Sequence, residues 1–225
     1  MTQELGRVER PSTESFQGKR KLFLVPHLYK PSADADEGST ILQRYWDQIQ
    51  SQVASLESGL GWIKHIYHEG LTEGGEQAVA YLEAIDQRCH TFVQAKTQAG
   101  ATLEATEDEV VLGEILDLQR CLMLPFTSNT VGTKLQEWFT DGVRRRYEHI
   151  SNRIDQTLGE NGVGLLMINE RHQVQFPADV EVFFVAPPAL DEFRRWLDGW
   201  IAKQQDADTE STQGDEPSEE PEPGK

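Results

Sequence analysis

The sequence predicts a single α/β domain, in which a mixed or parallel sheet is flanked by helices, between two disordered ends. Short apolar runs alternate with longer segments whose apolar residues recur at helical spacing. One run, residues 163–168 (VGLLMI), is apolar throughout, which is typical of a central strand covered on both faces. A chain of 225 residues is long enough for one well-buried core and too short for two comfortable domains.

The first half of the domain is predicted to contain two strands and two helices. Residues 19–26 form an apolar run that ends at proline, which indicates a buried strand. A capping-box pattern at Thr40 predicts the start of a helix that ends near residue 58. Residues 60–67 are predicted as the second strand, and one long amphipathic helix is predicted over residues 76–98.

The second half is predicted to contain three helices and two further strands. Its elements are an extended piece at 101–105, a helix opened by a capping box at Thr106, a long helix at 132–158, strands at 163–168 and 180–185, and an amphipathic helix after residue 188.

Both ends of the chain lack the residues that a folded core requires. Residues 1–18 have no apolar period, and residues 204–225 contain no large apolar side chain. Neither segment can offset the entropy of ordering its backbone, so we expect both to be disordered and the domain to span residues 19–203.

The charge of the chain disfavours a nucleic-acid partner. The formal net charge is −17, of which the tail from residue 204 contributes eight acids and one base, or −7, which leaves −10 for the rest. Nucleic-acid affinity depends on lysine and arginine displacing counterions, so we expect no such ligand. The acidic tail suits either a solubilising spacer or contact with a basic protein partner.

The cysteine count and the apolar runs bear on location. Two cysteines, Cys89 and Cys121, are too few for a disulfide framework and lack metal-site spacing. No apolar run approaches 18 residues, and the N-terminus has no signal-peptide pattern. We therefore expect a cytoplasmic protein that does not enter a membrane.

Polar residues follow several of the predicted strands, where α/β sheets tend to place their sites. His27 follows the first strand, His68 and Glu69 follow the second, and His172 follows the strand at 163–168. Glu107 flanks the extended piece. Two histidines and a carboxylate that meet at one sheet edge would suit a catalytic divalent metal with an open coordination position.

Each of these residues also has a structural explanation. A histidine after a strand is commonly a turn residue, and Glu107 fits the first turn of a capped helix, where acids complement the dipole. Arg146 lies next to Tyr147 on the apolar stripe of the long helix, so its stem could simply pack along the core edge.

Over residues 20–186 the chain resembles the TraB/Tiki/erythromycin-esterase-like superfamily. The resemblance is carried by LFLVPHLYKPSAD (22–34), IYHEGL (66–71), AGATLEATED (99–108), RYEHISNRIDQTL (146–158) and VGLLMINERHQV (163–174). The superfamily has two Gly-x-x-His motifs after strands, an acidic residue between them and a helix that carries an arginine. Here Leu24 and Asn169 stand in place of the two glycines, and Tyr147 stands where an asparagine or aspartate commonly follows the arginine.

The resemblance implies a metal-dependent hydrolase of a small-molecule or peptide substrate. By position, His27 and His172 would bind a divalent metal or activate water. Glu69 or Glu107 would complete the ligand set or act as general base, and Arg146 would hold an anionic group. The alternative is a non-catalytic binding or adaptor protein of the same fold that meets a partner, or a second copy in a homo-oligomer, through its acidic tail or last helix.

Overall fold

The computed structural model describes residues 16, 18–31 and 36–213, with side chains described as far as residue 206. Within these residues the chain forms five strands and six helices, which confirms the predicted α/β class. The elements are β1 (Arg20–Pro26), α1 (Asp36–Leu60), β2 (His65–His68), α2 (Gly75–Ile85), α3 (Gln87–Gln98), β3 (Thr102–Leu103), α4 (Glu109–Leu122), α5 (Asn129–Thr157), β4 (Val163–Ile168), β5 (Val180–Phe184) and α6 (Pro188–Gln213).

The sheet is wholly parallel, with strand order β3-β2-β4-β1-β5. β4 lies at the centre between β1 and β2, and all six of its residues are buried. This confirms the prediction that residues 163–168 form a central strand, whose apolar run is uninterrupted because both of its faces are covered.

Each face of the sheet packs against its own set of helices. Alternate strand residues such as Phe23, Val25 and Ile66 form one core cluster with α1, α2, α3 and the start of α6, and we call this the first face. The intervening residues, such as Leu24 and Tyr67, form a second cluster with α5, and we call this the second face. The two-residue period of a strand thus decides which helices each side chain meets.

Both capping-box predictions were wrong. α1 begins at Asp36, upstream of Thr40, and the Thr40 hydroxyl donates instead to the Asp36 carbonyl at 3.3 Å. α4 is capped by Asp108, whose carboxylate accepts the Val111 N–H at 2.9 Å. The predicted second strand also began too early, because α1 continues to Leu60.

The helix predicted over residues 76–98 is two helices that meet at Asp86. This residue has extended backbone angles, φ −149° and ψ 94°, and its carboxylate accepts the N–H groups of Arg88 and Cys89. Those bonds satisfy donors that a new helix leaves unpaired, so a fresh N-terminus is stable there. The break also places the Asp86 carboxylate against the end of β1.

The predicted disordered ends fall mostly outside the described residues. Residues 1–15 and 214–225 are not described, and α6 continues past residue 204 to Gln213. Among the described helices, none is long and apolar enough to cross a membrane.

Candidate metal centre

The candidate site lies at the carboxyl ends of β1, β2 and β4. β1 leads to α1 on the first face, whereas β4 leads to a loop whose Val174 packs on the second face. Neighbouring strands whose connections leave toward opposite faces open a crevice at this edge, where α/β proteins commonly bind ligands. His27 directly follows β1, and its N–H donates to the Ile168 carbonyl at 2.9 Å, so the end of β4 fixes its backbone.

Strand alternation directs both histidines of this edge to the first face. His27 continues the series of Phe23 and Val25, and His68 continues that of Ile66. Their rings meet edge to face, with centroids 4.4 Å apart. Both rings are almost fully buried, with His27 3% and His68 1% exposed.

The hydrogen bond of His68 fixes its tautomer. Its Nδ1 lies 2.5 Å from the Glu69 carbonyl oxygen, which can only accept, so Nδ1 carries the proton and Nε2 keeps a free lone pair. Burial, reinforced by the nearby His27, lowers the pKa of His68 to about 3. His68 is therefore neutral, and among the described residues its Nε2 has no hydrogen-bond partner.

His27 lies between two carboxylates. Its Nε2 is 3.5 Å from Asp86 Oδ2 and its Nδ1 is 3.7 Å from Glu69 Oε1, both beyond the usual hydrogen-bond range. Burial lowers the pKa of His27, but Asp86 and Glu69 outweigh it and the net pKa is raised. Neither ring nitrogen has a hydrogen-bond partner among the described residues, which is costly for a buried polar group.

Cys89 completes a group of three possible metal ligands. It is buried in the first turn of α3, where burial raises the pKa of its thiol well above the usual value. The candidate ligand atoms of His27, His68 and Cys89 all lie within 4.8 Å of one another. Tetrahedral zinc, with bonds of about 2.0–2.3 Å, would draw them closer by roughly 1 Å.

The surroundings of this group fit a metal centre. Histidines that bind a metal usually give their other nitrogen to a carboxylate or a backbone carbonyl. His68 already does so with the Glu69 carbonyl, and His27 has Asp86 and Glu69 within reach. Imidazole nitrogen and cysteine sulfur are donors that zinc prefers, and catalytic zinc sites have three protein ligands with a fourth position open. The group could therefore bind a metal.

Arg146 and Glu107 form a buried ion pair beside these ligands, on the second face. Arg146 Nε lies 2.9 Å from each oxygen of Glu107, and its Nη2 donates to Glu107 and, at 3.4 Å, to Glu69. Glu107 also accepts the Gly70 N–H at 3.1 Å. Two carboxylates already engage the guanidinium, so Arg146 holds Glu69 and Glu107 in place. The sequence had instead predicted that Arg146 holds an anionic group of the substrate.

Tyr29 covers the site from the solvent side. Its ring packs on His27 with centroids 4.3 Å apart, and its hydroxyl donates to Glu69 at 3.2 Å. The residue is 55% exposed, so it is the layer between the buried histidine and water. Burial raises the pKa of Tyr29, with Glu69 adding to the effect, so the hydroxyl keeps its proton. The pKa of Glu69 is lowered because His27 and the Asn169 N–H outweigh its burial.

The structure brings together four of the five residues that the sequence predicted, and it gives His172 different neighbours. His27, Glu69, Glu107 and Arg146 form one contact network. The ring of His172 packs against Phe176, and its Nδ1 accepts the Val174 N–H at 3.2 Å. Val174 and Phe176 belong to the second face, and the group of possible metal ligands among the described residues is His27, His68 and Cys89, without His172.

Sequence reasoning did not assign roles to His68, Cys89, Asp86 or Tyr29. Strand alternation was an available signal for His68, because it places residue 68 on the same face as His27. Cys89 and Asp86 both lie inside the helix predicted over residues 76–98, so no sequence pattern separated either of them from the core.

Comparison of the chain with protein-family models, curated proteins and solved structures found no match. The resemblance to the TraB/Tiki/erythromycin-esterase-like superfamily therefore stays a prediction.

Proposed function

We propose that this protein is a metal-dependent hydrolase that holds a divalent transition metal with His27, His68 and Cys89. The observation that carries the proposal is the convergence of these three side chains from β1, β2 and α3, with both histidines offering buried nitrogens that lack partners among the described residues. When bound, such a metal supplies a Lewis acid that polarises a substrate oxygen and makes water a stronger nucleophile at neutral pH.

The residues around the ligands have distinct roles in this proposal. Glu69 is ionised, because its pKa lies below the usual range, and it is the carboxylate positioned to accept a proton from attacking water. Arg146 and Tyr29 fix its two oxygens from opposite directions. Since Arg146 is already paired, we expect a neutral ester or amide, in a small molecule or a peptide, in preference to a strongly anionic substrate.

One observation favours a second candidate, a protein in which the metal is structural and the chain acts as a binding or adaptor protein. The three ligands are at most 3% exposed, and closed sites are typical of structural metals. In such a protein the metal would tie α3 to the sheet, and contact with a partner would depend on another surface, such as the acidic tail or α6. Trp196 of α6 packs closely over Gly38 of α1, so it contributes little to such a surface.

The metal assignment is tested by elemental mass spectrometry on the full chain purified without a histidine tag. We expect near-stoichiometric metal in the wild type and in His172→Ala. We expect metal to be lost in His27→Ala/His68→Ala, because loss of a ligand weakens binding by more than the roughly 10–100-fold that loss of an outer partner costs. Equal metal content in the double variant and the wild type would contradict the assignment.

Catalysis is tested separately on the metal-loaded protein with ester, amide and phosphoester substrates. We expect hydrolysis that is lost on chelation, and lost in Glu69→Gln while that variant still contains metal. Metal that stays bound without turnover of any substrate class would favour the structural metal over the hydrolase.

A further inference from the structure

Helices α4 and α5 expose apolar side chains that the candidate metal centre does not explain. Residues 109–142, which we call the helical hairpin, connect β3 to the part of α5 that packs on the sheet. The two helices pack along one seam, where Ile115 lies over Gly142 so closely that a Cβ on the glycine would be 3.1 Å from Ile115 Cγ1. These are the two buried residues of the hairpin, so most of its surface faces solvent.

Exposed apolar side chains recur at regular spacing on both helices of the hairpin. Leu116 and Met123 are seven residues apart on α4 and at its end, and Val131 and Trp138 are seven residues apart on α5. Seven residues are about two helical turns, so each pair shares one helix face. The four side chains are between 44% and 80% exposed, and Val110, Leu124 and Phe126 add to the exposed apolar surface.

This concentration of apolar side chains is unusual for a surface. Of the fourteen large apolar side chains that are exposed among the described residues, these seven lie in the hairpin. Contiguous exposed apolar surface is characteristic of an interaction site, whereas scattered single residues need no explanation. The hairpin therefore has the composition of an interface that lacks its partner.

The charges of the hairpin indicate which partner fits. Residues 109–142 contain five acids and two bases, and Arg144 and Arg145, which follow them on α5, pair with Asp141 and Glu114. This set of charges sums to −1, whereas the whole chain carries −17. Both bases of the hairpin pair with its acids, in Arg120–Asp117 and Lys134–Glu137. Two copies that approach through a strongly acidic surface repel each other, but through the hairpin they meet with little net repulsion.

We propose that the hairpin is a self-association surface on which a second copy of this chain docks its own hairpin. The two antiparallel helix pairs then form a four-helix bundle about a two-fold axis, with the seven-residue apolar spacing in its core. The sequence placed self-association on the last helix, and the exposed side chains place it on α4 and α5. The proposal does not depend on metal binding or catalysis.

The test is sedimentation equilibrium of the full chain over a wide range of concentrations. The wild type is expected to form a dimer, and Leu116→Glu/Trp138→Glu is expected to associate at least about 100-fold more weakly, because it places like charges opposite one another. Trp62→Glu is the matched control: Trp62 is 73% exposed and lies outside the hairpin, so this variant is expected to dimerise like the wild type.

A second measurement distinguishes loss of self-association from misfolding of the hairpin variant. The melting temperature of a dimer rises with protein concentration, so this dependence is expected in the wild type and in Trp62→Glu and is expected to vanish in the hairpin variant. A wild type that stays monomeric at every concentration would overturn the proposal, as would a hairpin variant that still dimerises. A monomer that binds neutral phosphatidylcholine vesicles through the hairpin would replace the second copy by a lipid surface.

Discussion

Folded proteins usually bury apolar side chains and expose polar ones, and the carboxyl edge of the sheet and the helical hairpin depart from this pattern in opposite ways. The edge buries groups that prefer water: His27, His68 and Glu69 are each at most 7% exposed. The hairpin exposes groups that avoid water, among them Trp138 and Met123. Both arrangements cost stability in an isolated chain, since the buried histidine nitrogens lack partners in the described part of the chain and apolar surface stays hydrated.

The difference indicates what each region is missing. Polar ligand atoms that converge in a buried space are satisfied by a small cation, which fits the edge. Apolar side chains spread along two helices are satisfied by a second apolar surface, which fits the hairpin. The two regions therefore call for different partners, and each can be altered without altering the other.

The largest expected contrast in stability is between two arginine–glutamate pairs, one beside the candidate site and one that involves the hairpin. Glu107→Gln leaves the mostly buried Arg146 without its main counter-charge, and we expect this to cost about 3 kcal/mol of unfolding free energy. Glu114→Gln removes a similar partner, on the hairpin, from Arg145, which follows the hairpin on α5. Solvent screens this pair, so we expect little change. Urea unfolding of both variants measures the contrast, and equal effects would contradict it.

A smaller effect is expected at Asp86, which serves both α3 and His27. Asp86→Asn keeps a side chain that can cap the helix but removes the charge 3.5 Å from His27 Nε2. Loss of such an outer carboxylate typically weakens metal binding by about 10–100-fold. Competition with a chelator measures this change, and Asp191→Asn on α6 is the control. Unchanged affinity in Asp86→Asn would show that His27 does not depend on this carboxylate.

The smallest expected effect lies within the hairpin. Gly113 is inside α4, and a Cβ added there meets nothing within 4 Å. Gly113→Ala should therefore raise the unfolding free energy by about 0.5–1 kcal/mol, because alanine loses less backbone entropy in a helix. Thermal unfolding checks this, and metal content should be unchanged. A destabilised variant would mean that another chain already occupies the space beside Gly113.

Much of the fold follows from the apolar pattern of the sequence. The runs at the starts and ends of the domain predicted β1, β4 and β5, and burial of all of β4 confirmed that its run is covered on both faces. The break at Asp86 was not predictable in the same way. Ile85 and Cys89 continue one helical stripe across it, but Ile85 is exposed and only the tertiary position of the Asp86 carboxylate explains the interruption.

The site was predictable in part because carboxyl ends of parallel strands meet at one edge. That rule brought His27, Glu69 and Glu107 together, but it does not say on which face a residue after a strand will lie. His172 lies four residues beyond Ile168, the last residue of β4. Asn169 to His172 form a turn, and the loop then packs on the second face. Cys89 comes from a helix, so no strand-end rule could include it.

The most direct test of the metal centre uses the two cysteines of the chain. Cys89 is buried beside the histidines, and Cys121 is exposed on α4, so each is the control for the other. We would titrate the tag-free protein with Co²⁺ and record the thiolate-to-cobalt charge-transfer absorption. We predict that this band appears in the wild type and in Cys121→Ser and is lost in Cys89→Ser. A band that persists in Cys89→Ser, or no band in the wild type, would contradict a metal held by His27, His68 and Cys89.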